Sequence, residues 1–113
     1  MPTPTLMPGT PTLSHSAVTA AVVGTTFAVP IRPNQGARSI SWRTSIGGTS
    51  VAVNAKLQGA MNDVDAQYAD LDTSASLTGE YRTVNNLLIR FIRVNLITLT
   101  AGAAPTFTSE ILI

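Results

Sequence analysis

A chain of 113 residues is long enough for one domain with a real core and no covalent staples. With no cysteine and a net charge of +1 it has no disulfide or thiol chemistry, and no overall field draws it to nucleic acid or an anionic membrane. Only 12% of its residues are charged, about half the share of an ordinary soluble domain. Thr, Ser, Ala, Gly and Asn fill the difference, a composition suited to a protein packed against copies of itself or another partner.

Residues 1–16, MPTPTLMPGTPTLSHS, hold four of the seven prolines (Pro2, Pro4, Pro8 and Pro11). Proline fixes φ and removes a ladder donor, so this block reads as an extended N-terminal arm, separate from a domain spanning 17–113. It has neither the basic start nor the apolar core of a signal peptide, and no run in the chain approaches the ~18 apolar residues of a membrane span. The block is either a disordered tail or an arm laid on a neighbouring subunit, whose anchors would be Leu6, Met7, Pro8, Pro11 and Leu13.

Ala17 to Ile31 contains two strand-like runs, AVTAAVV and TFAVPI, with Gly24-Thr25 as a turn or bulge between them and Pro30 and Pro33 limiting the second to an edge. Arg32 to Ala37 is a loop. Arg38 to Ser45 alternates with period two, Ile40 and Trp42 inward and Ser39, Ser41 and Arg43 outward. After a turn at Ile46-Gly47-Gly48-Thr49, Ser50 to Ala60 alternates again, with Val51, Val53, Ala55 and Leu57 on one face. These two runs form either a hairpin or neighbours in two facing sheets. Met61 to Asp72 carries four acids, Asp63, Asp65, Asp70 and Asp72, without the glycine and closing glutamate of a calcium loop. A solvated loop and a short strand, Tyr68 to Leu71, account for it better.

Leu87 to Leu99 is the most apolar and β-branched run and reads as a central strand, including Leu88, Ile89, Phe91, Ile92, Val94, Leu96, Ile97 and Leu99. Apolar residues on both faces call for cover on both, from a facing sheet or a subunit contact. Arg90, Phe91 and Arg93 are the residues expected at that contact. After a turn at AGAAP, Thr106 to Ile113 closes the chain with Phe107, Ser109, Ile111 and Ile113 on one face. The count is about eight strands and no convincing helix, the pattern of an all-β antiparallel sandwich or jelly roll.

Catalytic chemistry finds few groups to work with. The one histidine, His15, lies in the proline-rich block, so zinc sites and nucleophile–base pairs are not expected, and neither a cofactor nor a catalytic site is assigned. Six acids, four of them in one loop, fit poorly with a glycosidase pair.

From Ala37 on, the segments ARSISWRTSIGG, VAVNAKLQGAMND, YADLDTS and RFIRVNLITLTAGAAPTFTSEILI resemble a recurring type of small bacteriophage virion protein, a distantly discoidin-like β-sandwich. The resemblance spans about two-thirds of the chain. It departs at Ala60-Met61-Asn62-Asp63 and at Tyr68, where the phage pattern often has Ser-x-Asp-Gly and a Trp. It implies a head decoration (cement) protein on the outer surface of the virion, a homo-oligomer, with a trimer favoured, bound to the major capsid protein. Two rival readings are a carbohydrate-binding module, which needs an exposed aromatic platform, and a tail or neck accessory protein.

Overall fold

The computed structural model describes residues 3–30 and 36–113. The expected loop at 32–37 and the end of the second run at Ile31 lie partly or wholly outside them, as does Pro2. The fold is all-β and antiparallel. Seven strands, β1 (Thr12–Val18), β2 (Val22–Val23), β3 (Phe27–Ala28), β4 (Arg38–Ala60), β5 (Ala69–Ser74), β6 (Tyr81–Leu87) and β7 (Phe91–Leu112), form one sheet, with a single turn of 3-10 helix at Asp65–Gln67. Among the described residues no helix is long and apolar enough to cross a membrane.

The sheet is organised on a two-stranded ribbon, β4 against β7, paired from Ser41↔Leu112 to Ala60↔Phe91. A flat 23-residue strand would span roughly 76 Å, yet the longest dimension of the molecule is 48 Å. The ribbon therefore folds over, and its corner lies where the ladder is irregular, between Gly47 and Ala52 and across from Ala101 to Pro105. The first half of β4 carries β6 at one side, and its β7 partner carries β1. The second half carries β5, with β2 and β3 on the β7 side.

The two halves face each other across one core. Trp42 Nε1 donates to Asp72 Oδ2 at 2.9 Å, and Asp72 is paired with Leu57 in the other half. Thr44 Oγ1 meets Ser74 Oγ, and Ser74 is paired with Ala55. Between the layers lie Ile40, Trp42, Val53, Ala55, Leu57, Ile92, Val94, Leu96, Phe107 and Ile111, all buried. Alternation puts them there, but its phase changes at the corner. Inward positions are 40 and 42 before it and 53, 55 and 57 after it, because the extra residue Val51 resets the pleat. Val51, expected on the inward face, is 66% exposed.

Three further expectations are corrected. Gly47-Gly48 and Ala101-Gly102 do not end strands: β4 and β7 run on through them and bend at the corner, so of the two readings for the runs flanking Gly47-Gly48 the facing layers hold and the hairpin does not. The two runs between Ala17 and Ile31 shrink to two-residue strands that pair with β7 and not with each other. The central strand begins at Phe91; Leu88 and Ile89 belong to the connection from β6, where Ile89 packs over Gly59.

The proline-rich block is also part of the domain. Ala28 donates to the Pro4 carbonyl at 2.7 Å, Leu6 donates to the Ala28 carbonyl at 2.9 Å, and Gly9 donates to the Ile113 carbonyl at 3.0 Å. This segment thus bridges the ends of the two halves, and the expected boundary at 16/17 falls inside β1. Prolines keep it extended, so its free carbonyls and remaining N–H groups meet a neighbouring sheet edge.

At the corner, Gly48 has φ +67°, and a Cβ there would collide with the Ala103 and Ala104 carbonyl oxygens. Backbone atoms cannot swing away as a side chain can. Gly48→Ala is therefore expected to cost about 2–4 kcal/mol, read as a lower urea midpoint with unchanged far-UV circular dichroism at low denaturant.

Candidate interaction surfaces

The folded ribbon has two ends, a corner and an open pole. At the pole the two ends of β4 come together with the ends of β7, bridged by residues 4–9. Large apolar side chains stand in solvent there: Leu88 is 70% exposed, Met7 66% and Met61 54%, with Val64 also exposed. Met61, Leu88, Ile89 and Arg90 line an apolar cleft of about 200 Å³. Its walls are fixed from below. Arg90 donates its N–H to the Ala60 carbonyl and accepts from Val29. Ile89 is seated against Gly59, where any Cβ would displace it.

A second surface is the outer face of the half-sheet β1-β7-β4-β6. Its residues are the outward positions that alternation assigns: Ser41 and Arg43 on β4, Glu110 and Leu112 on β7, Tyr81 on β6. Pro11, Ser41, Trp42, Arg43, Tyr81, Glu110 and Leu112 line a groove of about 130 Å³. Arg43 and Glu110 form a long, exposed ion pair at 3.5 Å. Ser41 and Thr83 share a hydroxyl–hydroxyl hydrogen bond at 2.9 Å, and Ser39 donates to Asn85 at 2.6 Å.

The residues expected to make contacts divide on these surfaces. Met7 and Pro8 are exposed on the turn at the pole, where Arg90 is exposed too. Pro11 lines the groove, and Leu13, half exposed, pairs across from Glu110. Leu6 is not an anchor for a partner: at 2% exposure it belongs to the chain's own core. Phe91 is half-buried where β7 begins.

Arg93 is likewise spoken for within the chain. It is buried, donates from Nε to Gln58 and from Nη1 to Asp65 at 2.7 Å, and lies 3.8 Å from the centre of the Tyr68 ring. The loop 61–68 folds back over the outer face of the other half, where β7 lies between β3 and β4, and supplies the cover that an apolar central strand demands. Tyr68 in turn donates to Asp63. Burial, reinforced by that bond and opposed by Thr26 and Arg93, pushes its phenol up to about 12.

No family model matches the chain, and no curated protein does. Solved structures share its fold. The SPBc2 prophage-derived protein YomS superposes with a TM-score of 0.55 at 15% identity, over 90% of this chain and 89% of that one. The K3 cleaved adhesin domain of Lys-gingipain from Porphyromonas gingivalis w83 gives 0.51 at 7% identity, over 91% and 73%. At such identities the likeness is one of architecture.

Among the described residues no group of three His, Cys, Asp or Glu side chains is placed to hold a metal. The acids are instead engaged singly. Asp70 accepts from Lys56 and Gln58, which hold its carboxyl below the usual range. Asp72 is raised by burial, but Arg82, Trp42 and the Thr73 N–H outweigh this and bring it below the usual value. His15 links β1 to the core: Nε2 donates to the Val22 carbonyl and Nδ1 accepts from Ser109, each at 2.8 Å. The carbonyl can only accept, which fixes this tautomer.

Burial lowers the His15 imidazole, against the opposing bond to Val22. An unfolded chain binds a proton near pH 6.5 while the folded one resists it. The stabilising effect of His15 is therefore whole above about pH 6.5 and is lost as the pH falls below it. Urea midpoints are expected to drop as the pH falls through about 6.5, and His15→Gln should flatten that slope.

Proposed function

We propose that this chain is a structural component of a bacteriophage particle, a head decoration protein that binds the major capsid protein and reinforces the shell. The observation that carries the reading is the open pole. Leu88, Met7 and Met61 each expose more than half their surface at one end of a chain with only 12% charged residues. Other exposed apolar side chains, Val51 among them, lie elsewhere, but Met61 and Leu88 line one cleft, and apolar groups that share a cleft mark an interaction surface more than single ones do. The shared architecture with a prophage-derived protein over nine-tenths of both chains supports a phage origin. In this reading the protein is not an enzyme, takes no cofactor, nucleic acid or membrane, and sits on the outside of the virion as a homo-oligomer, with a trimer favoured.

The test adds the full chain to purified heads that lack it. Saturable co-sedimentation and a raised head melting temperature are the expected results, with light scattering giving the mass of the free oligomer. Binding to tails or neck rings but not to heads would replace the decoration role with the accessory one.

A further inference from the structure

We infer that the groove between Pro11 and Tyr81 binds a neutral saccharide, taking one pyranose ring. The inference does not rest on the decoration reading. Tyr81 is the starting point. Phe27, Trp42 and Phe107 are buried in the core and Tyr68 lies against Arg93, whereas Tyr81 is 61% exposed on a rigid strand. An exposed tyrosine alone is ordinary; its neighbours are what matter.

The strand register sets them in two rows. In the first, Tyr81 lies beside Arg43, Arg43 beside Glu110, and Glu110 beside Leu13. In the second, Thr83 lies beside Ser41 and Ser41 beside Leu112, with Pro11 closing the end. Rows two residues apart are separated by about 7 Å and adjacent strands by about 4.8 Å. The resulting groove, about 130 Å³, is well below the ~300 Å³ at which drug-sized pockets begin. It suits one ring and weak affinity.

Its chemistry selects the ligand class. Arg43 and Glu110 place a donor and an acceptor side by side, their side chains 58% and 32% exposed at 3.5 Å. Such an exposed pair has little mutual stabilisation to lose. Arg43 can donate to one hydroxyl oxygen while Glu110 accepts from the hydroxyl next to it, the geometry of a vicinal diol. One positive and one negative group sum to zero, so neither an anionic nor a cationic ligand gains an advantage. The Tyr81 ring, Pro11 and Leu112 offer apolar surface to the C–H face of a sugar.

The experiment is a titration of the isotope-labelled full chain, followed by amide correlation spectra, with glucose, galactose, mannose and N-acetylglucosamine. Glucuronate and glucosamine serve as charged counterparts, and a peptide of residues 1–11 as a proline-rich competitor. Shifts at Ser41, Arg43, Tyr81, Glu110 and Leu112 that saturate in the millimolar range with a neutral sugar are expected. Tyr81→Ala should weaken them about ten-fold. Arg43→Ala and Glu110→Ala should each weaken them as well, on spectra that verify the fold. Absence of shifts with every neutral sugar, equal or tighter binding of a charged one, indifference to all three variants, or shifts produced by the peptide alone would each overturn the assignment.

Discussion

Trp42→Ala is expected to destabilise the protein by about 3–5 kcal/mol, a large part of what a domain of this size has in reserve. The indole is 1% exposed and fills the space between the two layers. Its removal opens a cavity that the long strands β4 and β7, each paired on both sides, cannot close. It also takes away the Nε1–H that reaches Asp72 in the opposite layer. Asp72 is held there by Arg82 as well, through Nε at 2.7 Å and Nη2 at 2.9 Å, and Arg82 reaches Glu80. Trp42→Phe separates the two contributions. It retains most of the apolar volume and loses the hydrogen bond, so its cost should be about 1–2 kcal/mol. Urea denaturation followed by far-UV circular dichroism measures both, since the variants lack the only tryptophan. A loss below about 1 kcal/mol for the alanine variant would show that this side chain does not tie the layers together.

That network explains which parts of the fold are legible in the sequence. Local alternation is. Ile40 and Trp42, then Val53, Ala55 and Leu57, then Phe107 and Ile111 point inward as their spacing indicates. The corner is not, because a bend and a one-residue bulge leave no local mark beyond glycines, and Gly47-Gly48 serves a hairpin equally well. Nor is the partner of a face. The apolar run calls for cover by a facing sheet or another subunit, yet Tyr68, expected to open a short strand, supplies part of it by stacking on Arg93. Of the residues expected at contacts, Leu6 and Arg93 are consumed internally, while Met7, Pro8, Pro11, Leu13 and Arg90 remain exposed. Spacing along the chain does not distinguish a proline-rich segment that docks on its own sheet from one that reaches a neighbour. The difference lies in the edge offered by Ala28 and Ile113. The groove rows were invisible for the same reason, since Tyr81, Arg43, Glu110 and Leu13 come from four strands.

Leu88→Asp and Met61→Asp, made together, should weaken head binding at least about 100-fold while leaving the chain folded. Both side chains are mostly in solvent, at 70% and 54% exposure, so the free protein loses little apolar burial and its melting temperature should stay nearly constant. At a docked pole the outcome differs. Two carboxylates would be carried into an apolar contact and left unpaired, a cost of several kcal/mol in the bound state alone. Arg90, beside them in the cleft, can neutralise only part of it. The matching control lies at the opposite end of the molecule, where Val51 is 66% exposed on the corner bulge. Val51→Asp should bind heads as the parent chain does. Co-sedimentation of the three proteins with the same heads decides the matter. Loss of binding only at the pole supports end-on attachment through Leu88 and Met61, whereas loss only at Val51 would turn the molecule over and place the corner against the shell. Full binding by all of them would move the contact to a lateral face. The hydroxyl-rich row from Ser39 to Ser45 would then be the next surface to charge, because an interface there would bury Ser41 and Thr83 with their mutual hydrogen bond already made.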